Sequence, residues 1–141
     1  MKKKCLIVVA NYYENISNNL LQSALKSIKN KISSKIIYVP GVFEIPITIS
    51  KNIKKYDGFI ALGCVIKGQT PHFEFISSSV TYNILNMSVK NKKPIGNGII
   101  TCLNKKQAIA RSKKGAEAAN AMLSVLSCLL YTSPSPRDTA I

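Results

Sequence analysis

An α/β fold, with a mainly parallel sheet covered by helices on both faces, is predicted by three features of this 141-residue chain. Short continuous apolar runs, the mark of strands buried on both faces, recur along it. Between them lie segments whose apolar residues fall at helical spacing, and strands that alternate with helices pair in parallel through right-handed crossovers. Its most distinctive polar residues, Tyr12, Glu44, Thr70 and His72, follow strand ends, where open parallel sheets bind their ligands.

Cys5 to Ala10 is the first apolar run and the first strand. Ile16, Leu20, Leu21, Ala24, Leu25 and Ile28 then mark one face of a helix of about four turns. Lys35 to Val39 forms the second strand, stopped by Pro40-Gly41. A helix from about Phe43 carries Pro46 in its first turn, where a missing N–H is tolerated. Phe59 to Ile66 is the third strand. Pro71 suits a first helical position, and from it the longest helix runs to about Lys90, with Phe75, Ile76, Val80, Ile84, Leu85 and Met87 expected on its buried side. Ile95 to Leu103 is the fourth strand, interrupted by Gly96 and Gly98. Lys105 to Arg111 is a short helix and Gly115 to Ser127 an alanine-rich last one. This arrangement is a flavodoxin-like three-layer sandwich around a four-stranded sheet, with no internal repeat and no linker.

A composition of 46% hydrophobic and 18% charged residues fits one globular domain with a substantial core. No apolar run approaches the ~20 residues of a membrane helix, and Cys5 to Ala10 is too short for the apolar region of a signal peptide. A cytoplasmic location without membrane contact is expected. Cys5, Cys64, Cys102 and Cys128 lack metal-ligand spacing, and the first three sit in apolar runs where cysteine acts as a small hydrophobe. Neither disulfides nor zinc are expected. A net charge of +14 invites a nucleic-acid reading. Lysine supplies nearly all of it, along exposed helix faces and loops and without interleaved aromatics, so a solvated face and no nucleic-acid partner are expected. The same field would favour a phosphorylated small substrate.

Residues 128–141 break character. Cys128-Leu129-Leu130-Tyr131-Thr132-Ser133-Pro134-Ser135-Pro136-Arg137-Asp138 resembles the in-frame translation of a transposon-end sequencing adapter. The domain is therefore expected to comprise residues 1–127, with its last helix cut short and a non-native tail beyond.

Candidate chemistry concentrates after the third strand, in Gly68-Gln69-Thr70-Pro71-His72-Phe73-Glu74. Backbone N–H groups at such a strand-to-helix turn suit an anion, and Gln69 and Thr70 add amide and hydroxyl donors, although both also fit an ordinary helix cap. His72 is the chain's single histidine, and imidazole both accepts and donates protons near neutral pH. Taken alone, a lone histidine is more often structural than catalytic. Arg111 is the sole arginine before the tail among many lysines, and a bidentate guanidinium suits phosphate better than an ammonium, though a surface arginine capping the short helix is the alternative. Glu44, between Phe43 and Ile45, is either a helix-start charge favoured by the dipole or an acceptor for hydroxyl groups.

The stretch from Leu62 through Cys64, Gly68, Thr70 and His72 to Ile76 resembles the central motif of lumazine synthases, the penultimate enzymes of riboflavin biosynthesis. Val39-Pro40-Gly41-Val42-Phe43-Glu44-Ile45-Pro46 resembles a second motif of that family, and the resemblance covers about Cys5 to Ser127. It implies a transferase that joins 5-amino-6-(D-ribitylamino)uracil to 3,4-dihydroxy-2-butanone 4-phosphate without metal or organic cofactor. It further implies that His72 shuttles protons, that Arg111 with Gln69 and Thr70 holds the phosphate, that Lys114, matching the lysine of the family's Lys-Gly element, binds substrate, and that Tyr12 stacks on the pyrimidine. Backbone groups of Cys64, Val65 and Ile66 would read the pyrimidine edge, and Val42, Phe43 and Glu44 would hold the substrate with its ribityl chain. Asn97 stands where many members carry an aromatic, and the Ser112-Lys113 link before Lys114 is shorter than in many. Members assemble as pentamers or as shells of pentamers, with each site between adjacent subunits. Two alternatives are an archaeal-type riboflavin synthase and a non-catalytic basic module that binds flavin or RNA.

Overall fold

A computed structural model describes residues 2–69 and 72–128. Among these residues β1 (Lys4–Ala10), β2 (Ser33–Val39), β3 (Gly58–Ile66) and β4 (Ile95–Cys102) form one sheet in the order β2-β1-β3-β4. Every pairing is parallel, with Val9 opposite both Tyr38 and Leu62, and Ile66 opposite Cys102. The central strands are the continuous apolar runs of the sequence: β3 is buried along all its length and β1 from Cys5 onward.

Alternation along β1 divides the core in two. Cys5, Ile7 and Val9 point to one face and pack with Leu20, Ala24, Ala108, Ala119 and Met122. That layer holds α1 (Glu14–Ile28), α4 (Lys105–Ala110) and α5 (Lys114–Cys128). Leu6, Val8 and Ala10 point to the other and pack with Ile45, Ile49, Val80 and Ile84 of α2 (Ile45–Asn52) and α3 (Phe73–Asn91). The sandwich therefore has the three layers that the sequence predicts.

The elements differ from expectation in four places. The helix expected from Phe43 opens as a 3-10 turn, Val42–Glu44, before α2, whose first turn holds Pro46. α3 starts at Phe73 with His72 as its N-cap, and Pro71 lies outside the described residues. β4 runs unbroken through its glycines. A Cβ at Gly96 would run into the backbone carbonyl of Ala118, so the missing side chain admits α5 to the sheet instead of ending the strand.

The fourth difference concerns the face of α3. Val80 and Ile84 are buried and Ile76 and Met87 half-buried, but Phe75 and Leu85, expected inside, are 69% and 63% exposed. They share an outer stripe with Tyr82 and Val89. The helix is apolar on two sides, and this chain covers only one of them. Of the expected tail, Cys128 ends α5 and the remainder lies outside the described residues.

Candidate active site

The strand order places a crevice where the chain leaves β1 toward β2 on one side while β3 lies on the other, the position at which open parallel sheets bind ligands. A cleft of about 250 Å³ opens there. Tyr12 and Tyr13 line it from the β1–α1 loop, Gly41, Val42 and Phe43 from the loop after β2, Cys64 and Val65 from the end of β3, and Gln69 and Ile76 from the turn and helix beyond. Tyr12 and Phe43 are 73% and 62% exposed and form an aromatic rim suited to a flat ring.

The floor is inert. Burial pushes the Cys64 thiol up to about 12, helped by the neighbouring Cys102 thiol through charge and a hydrogen bond, so Cys64 stays neutral and is no nucleophile. The three described cysteine side chains, Cys5, Cys64 and Cys102, are free and buried. Val65 and Ile66 bury their side chains on opposite faces of the sheet. Ile66 does not line the cleft, and its carbonyl accepts the Gln69 N–H at 3.2 Å.

The turn after β3 is held from both sides. Lys67 N–H donates to the Cys102 carbonyl at 2.9 Å, and the Tyr13 hydroxyl donates to Gln69 Oε1 at 3.0 Å. Gly68, at φ +87°, makes the reversal that a side-chain-bearing residue resists. His72 follows at φ 56°, a left-handed conformation uncommon outside glycine, and is exposed at the start of α3. Its side chain caps nothing, while its carbonyl accepts the Ile76 N–H at 2.9 Å. It stands beside the cleft, between the lining residues Gln69 and Ile76, and does not itself line it. Thr70 lies outside the described residues.

Glu44 faces an adjoining groove with Phe43, Pro46, Ile47, Ser79, Val80 and Asn83. Its Oε1 lies 3.3 Å from where a side chain on Gly41 would begin, so a glycine at 41 leaves the carboxylate room beside the cleft.

Arg111, Lys114 and Asn97 do not join this cleft. Arg111 and Lys114 border a separate groove of about 540 Å³ with Ile99, Thr101, Lys113 and Glu117, along the sheet's β4 edge. Arg111 is the C-cap residue of α4, and its Nη1 donates to the Thr101 carbonyl at 3.0 Å. Lys114 Nζ pairs loosely with Glu117 Oε1 at 3.7 Å, an exposed contact that contributes little. Asn97, half-buried on β4, accepts the Ile99 N–H through Oδ1 at 3.0 Å. One chain therefore carries the expected site residues on two separate surfaces. Sequence reasoning missed Tyr13, Gly41 and Ile76 as lining residues; adjacency to the candidates Tyr12 and Val42 was the available signal for the first two.

The sequence model of the 6,7-dimethyl-8-ribityllumazine synthase family matches residues 2–129. A protein of that name from Bartonella bacilliformis is 42% identical over 133 residues, covering 85% of this chain and 88% of its own length. One from Buchnera aphidicola subsp. Baizongia pistaciae is 40% identical over 140 residues, covering 91% and 88%. The 6,7-dimethyl-8-ribityllumazine synthase 1 of Rhodopseudomonas palustris is 40% identical over 136 residues, covering 87% and 83%. With a switch-point cleft in a parallel four-stranded sandwich and relatives this similar over most of both chains, the protein belongs to the 6,7-dimethyl-8-ribityllumazine synthase family.

Proposed function

We propose that this protein condenses 5-amino-6-(D-ribitylamino)uracil with 3,4-dihydroxy-2-butanone 4-phosphate to give 6,7-dimethyl-8-ribityllumazine, phosphate and water. The observation that carries the reading is the cleft itself, where an exposed aromatic rim stands beside the strand-to-helix turn that carries Gln69, in a chain of this family. The pyrimidine's amine attacks the ketone and loses water to form an imine, phosphate leaves by elimination, and the enol tautomerises and closes the ring with loss of a second water. Each step moves protons. His72 takes and returns them at the mouth of the cleft. Tyr12 stacks on the pyrimidine, with Val42 and Phe43 beside it, while backbone groups of Cys64, Val65 and Ile66 read its edge. Glu44 accepts hydrogen bonds from the ribityl hydroxyls, and Gln69 and Thr70 hold the phosphate. Holding two reactive molecules in register supplies much of the acceleration.

Arg111, Lys114 and Asn97 act in the cleft of a second copy of the chain. The separation of the two surfaces supports this reading, as does the outer apolar stripe of α3, because a heterologous contact repeated around a closed ring brings unlike faces of neighbours together. The ring proposed is a homopentamer. Residues 1–127 are taken as the domain, and the family match ends close to that boundary, at residue 129. A cytoplasmic setting goes with the reading; among the described residues no helix is long and apolar enough to cross a membrane.

Mixing the protein with both substrates and following lumazine fluorescence tests the proposal. Fluorescence that rises only when both are present is the expected result. No product, or riboflavin formed from the lumazine alone, would overturn it.

A further inference from the structure

Tyr13 is a polar cleft residue that the proposed chemistry leaves without a task. It is the N-cap residue of α1, its carbonyl accepts the Ser17 N–H at 2.9 Å, and its ring meets Tyr12 edge to face at 4.8 Å between centroids. Half-buried against the α1 and α5 side of the core, it is a fixed point on the β1–α1 loop. Gln69 is the opposite case, an exposed side chain on a turn, with an amide that can present either an acceptor or two donors. An anion takes only donors.

We propose that Tyr13 is a positioning residue that sets the Gln69 amide for phosphate: its hydroxyl donates to Gln69 Oε1 at 3.0 Å and leaves the Nε2 donors for the phosphorylated substrate. Engaging the carbonyl oxygen holds one of the two amide orientations and polarises the amide toward stronger donation. The bond also ties the loop that carries the stacking residue Tyr12 to the turn that carries the phosphate donors, across 56 residues of chain. The proposal rests on the phosphate-holding role of Gln69 given above.

The test uses Tyr13→Phe, Gln69→Ala and the double variant, with inorganic phosphate as the binding probe and KM measured for each substrate. Tyr13→Phe keeps the ring and its packing. It should weaken inorganic phosphate and raise KM for the butanone phosphate roughly 2- to 10-fold, the worth of one hydrogen bond, with KM for the pyrimidine unchanged. In the Gln69→Ala background it should have no further effect. If Gln69→Ala weakens phosphate and Tyr13→Phe does not, or if the two effects simply add, the positioning role is overturned and the reading of Gln69 stands. If Gln69→Ala leaves phosphate binding unchanged, the reading of Gln69 fails and the proposal falls with it.

Discussion

At Cys64 burial turns a reactive side chain into packing. Desolvation holds its thiol up to about 12, with Cys102 adding to the shift, and holds Cys5 up to about 11, against an ordinary value of 9.0. In the unfolded chain these thiols ionise near 9, while the folded chain keeps their protons. The folded state binds more protons, so this contribution to stability is complete below pH 9 and is lost as pH rises from 9 toward 11 and 12. The urea midpoint should fall between pH 8.5 and about 10.5, and fall less in Cys64→Ala, which removes one of the titrating groups. An equal fall in both proteins would mean that Cys64 titrates alike folded and unfolded. At the residue scale the sequence was legible in part. Tyr12, Glu44 and His72 stood out as polar residues that followed strand ends, whereas the partner of Tyr13 became visible only once folding joined positions 13 and 69.

Elements were legible where one periodicity sufficed. β1 and β3 read directly as buried runs, and α1 as a helix with a single apolar face. α3 was misread because its inner residues Val80 and Ile84 and its outer residues Phe75, Tyr82, Leu85 and Val89 are equally apolar, and hydropathy does not separate a core face from an exposed apolar one. β4 was misread for a different reason. Gly96 looked like a break but is where α5 approaches the sheet. Gly96→Ala tests that packing. Freeing an unstrained position of a glycine is worth about 0.4–1 kcal/mol, whereas forcing a methyl into a packed backbone contact costs about 1–3 kcal/mol, so the loss outweighs the gain. Urea unfolding should show a lower midpoint, and an unchanged or higher one would mean that α5 lies farther from β4 than the structure has it.

At the scale of the whole molecule, the parallel order β2-β1-β3-β4 sets the switch-point cleft at one place in the sheet and leaves Arg111 and Lys114 at the β4 edge. The linear sequence carried both sets of candidate residues, but only the family resemblance implied a site between subunits, because nothing local to Arg111 records which surface it will occupy. If, as proposed, a neighbour completes the site, assembly is a condition of catalysis and two different defects become mutually correctable. His72→Ala should lower turnover ~10²–10⁴-fold, as loss of a positioned acid–base group does. Arg111→Ala should act on phosphate binding instead. Co-expressing the two variants with different tags and purifying the mixed oligomers is the most direct measurement. In a random mixture about a quarter of the sites combine an intact His72 from one copy with an intact Arg111 from the next, so activity should recover to roughly that fraction of wild type. Mixed oligomers no more active than the mean of the two parents would contradict a site shared between copies.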